Sequence, residues 1–301
     1  ASIVVIGDSL PKGRHILQSL LLDDKQKQRL GCKSRVIIEL TNRFDYGIVE
    51  AELKDYYDLI RSLVENQPQN LGFVASNPFE IEFMRLRLNI APEKYVLLKP
   101  LGVSPDDAVN PEDVKNSDDR IGFNPSIDRA IYNHFIEDNK QVAGYSGLPK
   151  HILRFKGYVE FPTHISSVEF HQRLAHGIPL VIPSPKLLVE LIEAKHHRLF
   201  PYLEDLYRIS TTTKRPWQEF VDYYDPAFAP FVYYFDTLDD LESIITKEAA
   251  KFDYKNTRAR APAFFRVEGG YRDKIVNGWK EVFLWPDLSL LPVYLKKEEA
   301  K

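Results

Sequence analysis

Short apolar runs rich in β-branched residues alternate along the chain with longer stretches in which apolar positions recur every three or four residues. That alternation is the mark of buried parallel strands joined by crossover helices, and it predicts an α/β fold. In the first third the spacing predicts strands over residues 3–6, 35–40, 71–75 and 95–99, with helices over 14–30, 49–66 and 78–89. Further along it predicts strands over 141–145, 154–160, 179–182 and 231–235, with helices over 127–138, 167–176, 185–196, 238–252 and 271–283. Residues 102–128 are rich in Asp, Asn, Pro and Ser, lack periodicity, and read as a linker. Residues 200–230 are aromatic and proline-rich with no clear period, and read as an irregular insertion.

A chain of 301 residues exceeds the size at which one hydrophobic core usually stops growing. Two domains are therefore expected, one over residues 1–103 and one over 104–301. Hydrophobic residues at 44% and charged residues at 28% fit a globular protein and exclude disordered or fibrous classes. The net charge of −3, with Lys and Arg scattered, supplies no field to gather nucleic acid, so no nucleic-acid partner is expected. Cys32 stands alone, which excludes an intrachain disulfide and a cysteine-based zinc site. No apolar run is long enough to span a bilayer. The chain begins on a strand without an initiating Met, which leaves room for a leader or anchor upstream and leaves the compartment open.

Several catalytic signatures are missing. No Gly-x-Gly-x-x-Gly follows the first strand, and no Gly-x4-Gly-Lys-Ser/Thr occurs, which speaks against a nicotinamide oxidoreductase and a phosphate-loop NTPase. Gly144-Tyr145-Ser146-Gly147 lacks the spacing of a nucleophile elbow. His164, His171, His176 and the pair His196-His197 lack the spacing of a zinc-binding helix, so no metal is expected.

Open parallel sheets bind ligands at the carboxyl ends of their strands, where helix N-termini offer backbone N–H groups to anions. Tyr158-Val159-Glu160-Phe161-Pro162-Thr163-His164-Ile165-Ser166-Ser167-Val168-Glu169 reads as such a strand-to-helix turn. A diphosphate there would meet oriented N–H groups, two hydroxyls and an imidazole. Capping alone accounts for Ser166 and Glu169 as a box, and for Gly177 and Pro179 as helix-stop punctuation. It does not account for Thr163-His164 eight residues before a polar Gln172.

This segment resembles the donor-binding signature of the nucleotide-sugar-dependent GT-B glycosyltransferases. Thr163-His164 stands where that family has its diphosphate-binding His, Gln172 where a ribose-binding Glu usually sits, and Ala175-His176-Gly177-Ile178-Pro179 matches the small-x-Gly-x-Pro ending. The resemblance covers this segment closely and the rest of the second domain loosely. Val168, Glu169 and Gln172 depart from the signature.

The resemblance implies two Rossmann-like domains facing a cleft, the last helix packing back toward the first. It implies metal-independent transfer of a sugar from a nucleotide-diphosphate sugar, as co-substrate and without other cofactor, to a hydroxyl of a glycan or other acceptor. The absence of any Asp-x-Asp speaks against the metal-dependent single-domain transferases. His164, Ser166 and Ser167 would neutralise the departing diphosphate, Gln172 would hold the ribose, and Ser184, opening the next helix, would contact sugar or nucleotide. On the acceptor side Asn42 and Arg43 are the binding candidates, and Asp8, His15 and Asp45 the candidates for the general base. Asn77-Pro78-Phe79-Glu80 reads instead as a helix cap, and Thr237 with Asp240 likewise. Two other readings stand beside transfer. One is a non-catalytic GT-B-like module binding a nucleotide, glycan or protein partner, suggested by the departures; the other is a nucleotide-sugar epimerase.

Overall fold

The computed structural model describes residues 3–7, 10–23, 25–26, 34–66, 69–102, 118–123, 133, 142–144, 152–195, 203–246 and 252–284. The chain divides into two compact units, one of Ala1–Lys99, Glu204–Lys214 and Ile275–Lys301, the other of Pro100–Leu203 and Arg215–Lys274. Both are α/β, Rossmann-like and wholly parallel in their paired strands.

Unit 1 runs β1 (Ile3–Ile6), α1 (Arg14–Leu20), β2 (Arg35–Leu40), α2 (Glu50–Asn66), β3 (Leu71–Ala75), α3 (Pro78–Leu88) and β4 (Val96–Leu97). Its sheet order is β1-β2-β3-β4. Every residue of β3 is buried, as expected of a strand covered on both faces. In α2 the buried positions are Tyr56, Leu59, Ile60, Leu63 and Val64, the stripe of a helix with one apolar face. Asn77 caps α3 by accepting the Glu80 N–H, Pro78 opens the helix, and Asn89 closes it in the left-handed conformation. Two later segments group with this unit: most of α6 (Leu203–Thr213), where Arg87 pairs with Asp205 at 2.7 Å, and α9 (Tyr271–Leu284) from Ile275 onward. There Arg35 donates to the Phe283 carbonyl at 2.7 Å.

Unit 2 contains β5 (Asp118–Phe123), β6 (Val142–Gly144), β7 (Phe155–Val159), α4 (Val168–Ala175), β8 (Leu180–Pro183), α5 (Pro185–Glu193), β9 (Val232–Phe235), α7 (Leu238–Thr246) and α8 (Tyr254–Arg266). Its sheet order is β6-β5-β7-β8-β9. Phe123, Phe161, Val181, Phe235, Leu241 and Ile245 pack into its core. Helix α4 ends in a Schellman motif: the Gly177 N–H reaches the Leu174 carbonyl and the Ile178 N–H the Arg173 carbonyl, with Gly177 at φ +74°. Pro262 inside α8 has no N–H to give the Arg258 carbonyl, and that carbonyl lies against Gly177, where a Cβ would come within 2.6 Å.

Three expectations are corrected. The stretch expected to be a linker contains β5, a central strand, whose pairing with β7 shifts register between Asp118 and Ile121; only its last residues carry an apolar signal. The stretch expected to be an irregular insertion contains α6 and three 3-10 turns, Trp217–Phe220, Asp222–Tyr224 and Ala229–Phe231. Helix α8 was absent from the expected elements, because Pro262 interrupts its pattern. Asp8, the pair His196-His197 and, Asn133 apart, the helix expected over 127–138 lie outside the described residues. No helix among the described residues is long and apolar enough to cross a membrane.

Candidate functional site

The two sheets differ in one respect that bears on ligand binding. Strands of unit 1 follow one another in a single direction, whereas in unit 2 the chain leaves β5 for β6 on one side and leaves β7 for β8 on the other. Such a reversal opens a crevice at the carboxyl ends of the two strands, here β5 and β7. The carboxyl end of β7 is the start of residues 160–167, the turn that carries Thr163 and His164.

In that turn His164 is exposed, and Thr163 Oγ1 lies 3.0 Å from its Nδ1. The box expected from Ser166 and Glu169 does not form. Ser166 instead donates to Asp222 Oδ2 at 2.5 Å, and Glu169 pairs with Arg173 one turn along. The N-cap is Ser167, whose side chain makes no capping hydrogen bond. The first turn of α4 is thus left without the side-chain acceptor that closes α3, α5 and α8. Gln172 is half-buried on α4. Its backbone and that of His171 lie so close to Gly102, at φ +73°, that any side chain there would collide.

Behind the turn lies a buried ionic cluster that the motif reading did not single out. Glu160, His171, Arg173, Asp222 and Tyr223 are each no more than 5% exposed. Arg173 pairs with Glu160 at 2.5 Å and stacks over Tyr158, while Tyr223 donates to Glu160 at 3.2 Å. Burial disfavours the charge on Arg173, but attraction and hydrogen bonding from Glu160 outweigh it and hold its pKa above the ordinary value. Burial raises the Tyr223 pKa, and the Glu160 charge adds to that, so the phenol stays neutral. His171 Nδ1 faces the Ser167 carbonyl at 3.0 Å, which can only accept, so this nitrogen carries a proton. Its Nε2 lies 3.7 Å from Asp222 Oδ2.

Ser166, His171 and Asp222 supply the residue types of an acyl-transfer triad in the wrong order. The hydroxyl donates to the carboxylate, and among the described residues no imidazole is hydrogen-bonded to it.

The neighbouring β8–α5 turn is closed. Ser184 accepts the Leu187 N–H at 3.3 Å with Pro185 at the first helical position, so its hydroxyl acts as a cap.

In unit 1 the turn after β2 brings Asn42, Arg43 and Asp45 together. Asp45 Oδ2 accepts from Tyr57 at 2.7 Å, and the Arg43 guanidinium lies over Tyr46 and Phe83. Burial and that hydrogen bond raise the Tyr57 pKa. His15 is exposed on α1. The donor candidates therefore gather in unit 2, and Asn42, Arg43, Asp45 and His15 in unit 1.

No protein family matches the chain, and neither does any curated protein. Among the described residues no three His, Cys, Asp or Glu side chains form a group that could hold a metal ion. The residues that motif reasoning passed over had a signal nonetheless. Glu160 interrupts an apolar run, Tyr158-Val159-Glu160-Phe161, at a strand end, and a charge in that position needs a buried partner.

Proposed function

We propose that the chain is a glycosyltransferase of the GT-B type, moving a sugar from a nucleotide-diphosphate donor to an acceptor hydroxyl. One observation carries the reading: the strand-order reversal of unit 2 falls at the carboxyl end of β7, the same turn that bears Thr163-His164 and leads into α4. An anion at that N-terminus would meet N–H groups that no capping side chain occupies, with the helix dipole favouring its charge. In this reading His164 and the backbone N–H groups of the α4 N-terminus neutralise the leaving diphosphate, Gln172 holds the ribose, and the Ser167 hydroxyl is engaged with Tyr223. Ser166 and Ser184 act by shaping the two turns, since their hydroxyls are engaged within the protein. His15, exposed on α1, is the preferred base among Asp8, His15 and Asp45, because Tyr57 engages one oxygen of Asp45 and the other is buried.

The test is affinity for nucleoside diphosphates in His164→Ala and Gln172→Ala. Loss of a hydrogen bond to a charged or ribose group weakens binding by roughly tenfold or more. Binding unchanged in both variants sinks the reading. The non-catalytic module is favoured by Glu169, an exposed carboxylate in the first turn of α4 where a diphosphate would approach. Release of free sugar from a nucleotide sugar excludes that alternative.

A further inference from the structure

Three consecutive residues in the segment expected to be irregular reach into both strand-end turns of unit 2. The Asp222 N–H donates to the Ile165 carbonyl at 3.0 Å while its carboxylate accepts from Ser166 at 2.5 Å. Tyr223 donates to Glu160, at the start of the same turn, at 3.2 Å. Tyr224 donates to the Pro183 carbonyl at 3.0 Å, at the end of β8 where the next helix begins. The tripeptide is itself held: Tyr234 on β9 donates to the Tyr223 carbonyl at 2.8 Å, and Trp217 packs edge-on against Tyr224. Behind it Phe228 packs edge-on against Phe170 and His171 of α4.

We propose that Asp222, Tyr223 and Tyr224 are positioning residues, a brace that sets the 160–167 turn and the β8 end in register so that the first turn of α4 presents its N–H groups to the donor diphosphate. The proposal rests on the glycosyltransferase reading and adds to it a role for a segment outside the donor motif. The backbone of 163–167 has little regular hydrogen bonding of its own, so an outside partner must fix it. Asp222 fixes it at two consecutive residues, Ile165 and Ser166. A loop held to within a fraction of an ångström is what electrostatic stabilisation of a leaving group requires.

The brace acts on the phosphate side alone, which separates it from a general structural role. The probes are UDP, GDP, ADP, CDP and dTDP, with the parent nucleosides as controls, measured by calorimetry well below the melting temperature of each variant. Asp222→Ala, which removes the acceptor of the Ser166 hydroxyl, and Tyr224→Phe are expected to weaken the preferred diphosphate about tenfold while leaving its nucleoside unchanged. Ser166→Ala, which removes one bond and little packing, is expected to raise amide exchange at Ile165, Ser166 and Ser167 several-fold with no ligand present. Equal loss for diphosphate and nucleoside, or diphosphate affinity and exchange both as in the wild type, overturns the brace alone. A wild-type protein that binds none of the diphosphates removes the glycosyltransferase reading, and the brace's role in it, by a separate result.

Discussion

The β3–α3 turn of unit 1 and the β7–α4 turn of unit 2 are built on the same plan, a buried parallel strand running into a helix, and they end differently. At the first, Asn77 caps the helix from within its own sequence, and Pro78 and the left-handed Asn89 complete a self-sufficient element. At the second, the N-cap side chain makes no capping bond, and the turn is held by residues 50 or more positions away. The first turn closes itself; the second is held open from behind. The interior behind the second turn adds to the contrast, for unit 2 buries an ion pair there, Arg173 with Glu160.

The largest way to break this contrast is Arg173→Met. It leaves Glu160 buried without its counter-charge, and a loss of about 3–5 kcal/mol in urea unfolding is expected. Adding Glu160→Gln should recover part of it. In unit 1, Lys54→Met at the exposed pair with Asp58 should change stability by less than about 1 kcal/mol.

Glycines sharpen it next. Gly47 and Gly177 both have positive φ, but nothing lies within 4 Å of a Cβ at Gly47, whereas at Gly177 the Arg258 carbonyl does. Gly47→Ala should cost about 1 kcal/mol from the backbone alone, and Gly177→Ala about 3, measured by thermal unfolding.

Alkaline pH follows, and it acts on both units. Burial, the leading cause, raises the pKa of Tyr56 in unit 1 and Tyr223 in unit 2. In the unfolded chain a tyrosine ionises near pH 10, so above that pH the unfolded state binds fewer protons than the folded state and stability falls as pH rises. Each fully buried tyrosine contributes a slope of about 1.4 kcal/mol per pH unit until its folded pKa is passed. Tyr223→Phe should flatten the decline of unfolding free energy with pH by that share.

The smallest effect is the most direct. Asn77→Ala should destabilise by about 1 kcal/mol through its cap, and Ser167→Ala in a Tyr223→Phe background, where neither a capping bond nor the Tyr223 bond is at stake, by a few tenths. Equal losses would mean that the two turns are closed alike.

Where the local pattern was strong, it was enough: β1, β2 and β3 fall on the residues that alternation predicts, and α2 and α3 within one residue of it. β5 was hidden because a central strand that opens with Asp118-Asp119-Arg120 carries an apolar signal only over its last residues. α6 and α8 were hidden by a threonine run and by Pro262, local penalties that tertiary packing of Leu206, Ile209, Ala261 and Phe265 overrides. Of the candidate site, the turn itself was legible because Thr163-His164 has no capping role to play. The ionic cluster was not, since Glu160, Arg173 and Asp222 lie far apart in sequence and only folding brings them together.

The grouping of α9 from Ile275 onward with unit 1 has a consequence for how the chain is made. Arg35 and Leu98 meet Phe283 and Gly278 there, so unit 1 lacks part of its covering until α9 has emerged. At typical synthesis rates that is roughly 10 to 40 s after α3 leaves the ribosome. Within that interval all five strands of unit 2 emerge, β9 ending at Phe235 ahead of Ile275, so the unit translated first is the one completed last.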